Sequence, residues 1–272
     1  MYKLIALDMD GTLLREDKTV SPRTKEAILA ARAKGAHVVL ASGRPIDGMT
    51  PFLQALSLTG QHDYVLSYNG SLVQNVGSGE VLSSCLLTGR DARELYQLSK
   101  TLGVNIHAFS QTRGLIAPRD SRYTELERSH NDLVLTLVDF DTLPDDEPIL
   151  KVMMVDEPEL LAPAMAKVPA QLHERYTVVL SAPYFLEFLH PHGNKGRGVE
   201  ALAAYLQIPP EAVICVGDAG NDAHMIEYAG LGVAMGNATP EIKAMADYVT
   251  TSNEEDGVAH VIEKFMLAPC LA

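Results

Sequence analysis

Four short stretches of this 272-residue chain hold residue types that handle anions and metal ions. Asp8-Met9-Asp10-Gly11-Thr12-Leu13-Leu14 carries two carboxylates. Ser42-Gly43-Arg44-Pro45 joins a hydroxyl to a glycine. Asn194-Lys195-Gly196 brings an ammonium. Gly217-Asp218-Ala219-Gly220-Asn221-Asp222 adds two more carboxylates and an amide. Carboxylates gathered at one spot repel, and without a counter-ion some must take up protons. A Mg²⁺ ion resolves this, because it takes oxygen ligands and leaves positions for water and substrate phosphate. Ser42 and the Gly43 amide can cradle phosphate oxygens, since glycine lets the backbone approach closely. A lysine at 195 opening a helix can neutralise phosphoryl charge, and the helix N-terminus adds to the anion site. Together these parts describe phosphoryl transfer, which depends mainly on positioning and electrostatics.

The surrounding elements must bring these stretches together. Leu4-Ile5-Ala6-Leu7 is a short apolar run that reads as a buried strand delivering Asp8 and Asp10. Ser21-Pro22 is a helix start, with that helix running to about Lys34 before Gly35. Residues 37–41 read as a second strand, delivering Ser42-Gly43. Val199, Leu202, Ala203 and Leu206 form one face of a helix, stopped by Pro209-Pro210. The strand at 213–216 delivers Gly217-Asp218. A helical stripe at Met225, Ile226 and Ala229, strands at 231–234 and 248–250, and a helix from 258 to 266 complete the chain. Alternation of this kind predicts a parallel sheet with helices on both faces. In such sheets ligands bind outside the carboxyl ends of the strands, where all of these stretches fall except Lys195, which opens a helix.

The middle reads differently. Strand-like runs crowd together at 81–87, 104–109, 114–117, 133–138, 150–155, 176–180 and 184–189. Helical stretches lie between them, one with Leu95, Leu98 and Leu102 on a face and one at 158–167. Strands in excess predict an antiparallel α+β module. The expected architecture is an α/β core made from residues 1–85 and 188–272, with an inserted α+β domain at 86–187. Pro144-Asp145-Asp146-Glu147-Pro148 reads as a solvated acidic loop.

Composition narrows the function classes. Hydrophobic residues at 47% and charged residues at 21% are ordinary for a globular chain, and the net charge is −13. That balance argues against a nucleic-acid partner, which needs a basic footprint, and against attachment to anionic membranes. No apolar run reaches a bilayer-spanning length, and the N-terminal run is too short for a signal peptide. Cys85, Cys215 and Cys270 form no CxxC pair, as expected in a reducing compartment. The expectation is a cytoplasmic protein, monomeric or homodimeric.

The four stretches resemble motifs I to IV of the haloacid dehalogenase superfamily. Their order, and the roughly 100-residue insert between motifs II and III, are similar to the Cof-type subgroup with a C2B cap. Residues 150–158 and 181–187 extend the likeness into the insert, most of all to the YidA-like sugar phosphatases. The resemblance implies a Rossmann-like core with a parallel sheet, an inserted cap, and hydrolysis of a small phosphomonoester such as a sugar phosphate. It implies Asp8 as nucleophile, forming an aspartyl-phosphate, and Asp10 as general acid and then base. Mg²⁺ would be held by Asp8, the Asp10 backbone carbonyl and Asp218, with Asp222 in support. The Met9 amide, Ser42, the Gly43 amide, Lys195 and Asn221 would hold the phosphate. Linkers near Leu86 and His190 would act as a hinge. A phosphomutase using the same nucleophile, or a phosphate-binding protein without turnover, are the alternatives. A dehalogenase or phosphonatase is disfavoured, because Asp10 suits protonation of an alkoxide.

Other signals read as structural. Gly230-Leu231-Gly232-Val233-Ala234-Met235-Gly236 follows a helix and contains a strand, the reverse of a dinucleotide loop. His190-Pro191-His192 reads as the linker leaving the insert. Asn69-Gly70 reads first as a hairpin turn, with a substrate contact as the lesser reading. Arg119, Tyr123, Tyr184 and Glu187 read as surface or packing residues of the insert.

Overall fold

A computed structural model describes residues 2–268; Met1 and Cys270 lie outside the described residues. The chain divides into two units, one formed by the chain up to Ser84 and from Asn194 onward, the other by Cys85–Gly193. In the first, strand β1 (Leu4–Leu7) is buried along its whole length. Ser21 caps helix α1 (Pro22–Ala33) by accepting from the Thr24 amide, with Pro22 at the first helical position. Then come β2 (His37–Ala41), α2 (Ile46–Ala55), β3 (Tyr64–Ser67), β4 (Leu72–Asn75) and β5 (Val81–Ser84).

The second unit holds β6 (Leu87–Thr88), α3 (Gly89–Leu102), β7 (Asn105–Ser110), β8 (Gly114–Ala117) and α4 (Arg122–Asn131). It continues with β9 (Leu135–Leu137), β10 (Pro148–Val155), α5 (Pro158–Met165), α6 (Ala170–Arg175), β11 (Thr177–Ala182) and β12 (Phe185–Leu189). Its sheet runs β11-β12-β10-β7-β8-β9, with β6 also on β10. All neighbours are antiparallel except β8 and β9. Leu95, Ile106, Val152, Leu161, Leu186 and Phe188 belong to one buried cluster between this sheet and its helices.

The chain then re-enters the first unit with α7 (Lys195–Tyr205), β13 (Val213–Gly217), α8 (Ala223–Tyr228), β14 (Leu231–Ala234), α9 (Pro240–Met245), β15 (Tyr248–Val249) and α10 (Gly257–Ile262). The sheet order is β15-β14-β13-β1-β2-β3-β4-β5. It is parallel from β15 to β3, and β4 and β5 are antiparallel additions at one edge. Alternate residues feed two cores. Ile5, Leu7, Val38, Leu40, Ile214 and Val216 face α1 and α10, while Leu4, Ala6, Val39, Val213 and Cys215 face Val199, Leu202 and Ala203 of α7. Burial of both faces explains why these strands read as unbroken apolar runs.

Two expectations are corrected. The run at 81–87 is not one strand: β5 pairs with β4 and β6 with β10, so the chain changes sheets there. The second boundary falls after Gly193 rather than at 187. β12 continues to Leu189 as a fully buried strand, and a turn in which the Gly193 amide donates to the His190 carbonyl (2.8 Å) closes the unit.

Candidate active site

β1 and β13 are parallel neighbours, so their carboxyl ends lie side by side, and the Asp8 amide extends the pairing by donating to the Val216 carbonyl at 3.0 Å. Beyond β1 the chain folds back, with the Thr12 and Leu14 amides donating to the Met9 carbonyl. Gly11 makes that turn possible with φ +84°; a Cβ there would also stand 2.5 Å from Asp218 Oδ2. Thr12 Oγ1 donates to Asp218 Oδ1 at 2.8 Å. The end of β13 is tied down by Asp222, whose Oδ2 accepts from the Asp218 and Ala219 amides at 2.9 and 3.1 Å.

Lys195 opens α7, whose cap is the Asn194 side chain, accepting from the Arg197 amide at 2.9 Å. Gly196 lets that first turn lie against α8, since a Cβ would meet the His224 carbonyl oxygen at 2.5 Å. The Lys195 side chain is 0% exposed. Its Nζ donates to Asp222 Oδ1 at 2.7 Å and to Asp8 Oδ1.

Asp8, Asp218 and Asp222 place carboxylate oxygens within 4.8 Å of one another. One buried ammonium faces three carboxylates, and the imbalance is felt. Burial lifts the Asp8 carboxyl to about 8 against the pull of Lys195, with Asp222 and Asp218 adding to the rise. Asp218 is raised by burial and by Asp222, against the Thr12 hydroxyl. For Lys195, burial disfavours the charge, but Asp8 and Asp222 outweigh it and hold the ammonium above its ordinary range. An all-oxygen cluster short of positive charge fits a hard divalent cation. Both Asp222 oxygens are held by Lys195 and by the Asp218 and Ala219 amides, whereas Asp8 and Asp218 each keep one oxygen outside the bonds to Lys195 and Thr12 that could serve it.

The Asp10 side chain stands outside that cluster. Arg44 binds it with both arms, Nε to Oδ2 at 2.9 Å and Nη2 to Oδ1 at 2.8 Å, and Lys18 Nζ donates to Oδ1 at 2.8 Å. Partial burial works against the charge, but Arg44 and Lys18 win and hold Asp10 below the usual carboxylate range. Sequence alone assigns neither cation a role: Arg44 stands in the Ser42-Gly43-Arg44 run, whereas Lys18 carries no signal.

Ser42 follows β2, is buried, and accepts from the Arg44 amide through Oγ at 3.2 Å. Met9 is fully buried. Asn221 is exposed, and its Nδ2 donates to Asn69 Oδ1 at 3.1 Å. The Asn69-Gly70 turn does join the antiparallel pair β3 and β4, and it also reaches this site. In the second unit, Arg119 Nε donates to Asn105 Oδ1 at 2.9 Å. Tyr123 stacks on Tyr184 at 4.9 Å, and Glu187 pairs with buried Lys151 at 3.2 Å.

Comparison with known proteins defines the family. Residues 5–262 match the haloacid dehalogenase-like hydrolases, and the chain belongs to that family. A Bacillus subtilis (strain 168) protein provisionally named phosphatase YxeH is 44% identical over 269 residues, covering 98% of this chain and 100% of that protein. A solved haloacid dehalogenase-like hydrolase from Bacteroides thetaiotaomicron is 34% identical with a TM-score of 0.86, covering 97% of this chain and 99% of the other. The solved subclass IIB sugar phosphatase BT4131 is 25% identical with a TM-score of 0.78, covering 98% and 100%. No helix among the described residues is long and apolar enough to cross a membrane.

Proposed function

We propose that this chain, a phosphatase of the haloacid dehalogenase-like family, hydrolyses phosphomonoesters of sugars or similarly small metabolites, with Mg²⁺ as its metal and Asp8 as its nucleophile. The observation that carries this reading is the buried Lys195 ammonium shared by Asp8 and Asp222 beside Asp218. The printed description of BT4131 as a sugar phosphatase supports the substrate class. In the first half-reaction an Asp8 oxygen bonds to phosphorus, the ester P–O bond breaks, and the leaving alkoxide takes a proton from Asp10. In the second, water gives a proton to Asp10 and its oxygen to phosphorus, releasing inorganic phosphate and restoring Asp8. Asp10 as found, ion-paired to Arg44 and Lys18, is in the carboxylate form that serves the second half-reaction. The first needs the protonated form, so those pairs must loosen when the ester binds. Lys195 offsets charge on the phosphoryl group, while Ser42, the Met9 and Gly43 amides and Asn221 orient it. When bound, Mg²⁺ held by Asp8, the Asp10 carbonyl and Asp218 supplies positive charge that offsets repulsion between carboxylate and ester.

Phosphate release from a panel of sugar and nucleotide phosphates, with and without Mg²⁺, tests the reading against Asp8→Asn. Release that needs both metal and Asp8, and that favours sugar phosphates, is expected. Release that persists in Asp8→Asn contradicts it, as does transfer between sugar hydroxyls in place of release.

A further inference from the structure

Three consecutive residues between β3 and β4 adopt left-handed backbone: Tyr68 (φ 50°), Asn69 (φ 55°) and Gly70 (φ 79°). Single left-handed residues are common at Gly and tolerated at Asn, but a tyrosine there costs about 1–2 kcal/mol. Strain of this kind persists only where the surroundings over-determine it, and it collects at functional sites. The surroundings of this turn are the site loops themselves. The Tyr68 amide donates to the Arg44 carbonyl at 3.1 Å and the Asn69 amide to the Ser42 carbonyl at 2.9 Å. Gly70 lies so close to the cap of α7 that a Cβ would stand 2.5 Å from the Asn194 carbonyl oxygen. The Asn69 side chain accepts from Asn221 Nδ2, and its own Nδ2 lies over Gly43, 3.2 Å from where a Cβ would be. A three-residue turn thus touches the Ser42-Gly43-Arg44 loop, the base of the Lys195 helix and the Asn221 side chain.

We infer that Asn69 is a positioning residue for the phosphate site, fixing the Asn221 amide against the Ser42-Gly43 loop so that both meet one anion. The inference rests on the reading of Asn221 and Ser42 as phosphate-holding groups. Asn69 acts through its side chain, and the left-handed turn exists to present it. A hairpin needed only to connect two strands would be served as well by glycine at 69, which holds this backbone without a side chain.

The substitution Asn69→Gly separates the two roles, because it keeps the backbone conformation and removes only the side-chain amide. The probe is inorganic phosphate as a competitive inhibitor, with KM and kcat for a turned-over ester alongside. Asn69→Gly is expected to unfold at no lower temperature than the parent, to raise the phosphate inhibition constant and KM roughly tenfold, the effect of one hydrogen bond, and to change kcat much less. Asn69→Asp keeps the shape but sets a negative charge near the anion, and is expected to raise both constants further. In an Asn221→Ala background, Asn69→Gly is expected to add less than twofold, since its effect runs through Asn221. An unchanged inhibition constant in Asn69→Gly, with Asn221→Ala raising it, overturns the role of Asn69. Multiplying effects in the double variant overturn its action through Asn221. If Asn221→Ala itself leaves phosphate inhibition unchanged, the phosphate-site reading fails, and this inference fails with it.

Discussion

Replacing Lys195 by methionine keeps the side chain's length and apolar stem and removes one positive charge from a place water does not reach. Lys195 is 0% exposed, and its partners Asp8 and Asp222 have side chains 9% and 0% exposed. The variant leaves Asp222, and Asp8 when ionised, buried without a counter-charge. Breaking a buried pair in this way costs about 3–5 kcal/mol, a fall of about 6–20 °C in the midpoint of a unit this size. The cost should depend on pH, with a definite sign. Asp8 already sits at about 8, above its ordinary 3.8, and loss of the ammonium moves it further up. A carboxyl raised in the folded state favours folding below its unfolded pKa and loses that contribution as pH rises through the folded value. The deficit of Lys195→Met should therefore stay nearly flat below pH 7 and widen as pH rises through about 8, from pH 6 to pH 9. Thermal and urea unfolding of metal-free parent and variant at both pH values measure it. A deficit that is equal at pH 6 and pH 9, or under about 1 kcal/mol at pH 9, would refute the charge balance described here.

Three further outcomes are expected. Mg²⁺ should raise the unfolding midpoint of the parent, by about 2.7 kcal/mol of stability at one hundred times its dissociation constant, and Asp218→Asn should abolish most of that gain; an equal gain in the variant would remove Asp218 from the metal site. Asp10→Asn should slow turnover of an alkyl phosphate by about 10²–10⁴, yet release close to one equivalent of nitrophenol rapidly from 4-nitrophenyl phosphate, whose leaving group needs no proton; an equally impaired first turnover on both esters would contradict the acid role. His107, buried and hydrogen-bonded at Nδ1 to Thr124 Oγ1 (3.1 Å), is pushed down to about 3 by burial and by Lys151. The unfolded chain binds the extra proton first, so between pH 6.5 and 3 this group removes up to about 1.4 kcal/mol of stability per pH unit on acidification; His107→Gln should flatten that slope, and an unaltered slope would sink the assignment.

Much of this was legible because the strands that carry the site are buried on both faces. Leu4-Ile5-Ala6-Leu7 and Val213-Ile214-Cys215-Val216 have no polar member, so the acids just after them stand out. Helix α1 was legible from Ser21-Pro22, and the start of α7 from Asn194. Helix α4 was not, because it buries Thr124, Glu127 and Asn131 among its contacts and shows no apolar stripe. Helix α2 was hidden by its internal Pro51. In the site, spacing pointed to Asp8, Lys195, Asp218 and Asp222, which the fold gathers within hydrogen-bonding reach. It could not show that Arg44 and Lys18 converge on Asp10, nor that Asn69 reaches Asn221, 152 positions away along the chain. Those contacts depend on loop conformation, which apolar periodicity does not encode.

The central claim is that Asp8 forms a bond to phosphorus. Acid quenching during turnover, followed by peptide mass analysis, tests it directly. The account predicts one phosphoryl group on the peptide that contains Asp8, increased when Asp10→Asn slows hydrolysis of the intermediate, and absent in Asp8→Asn. Phosphorylation at another residue, or rapid turnover in Asp8→Asn with no phosphorylated peptide at any time, would contradict it.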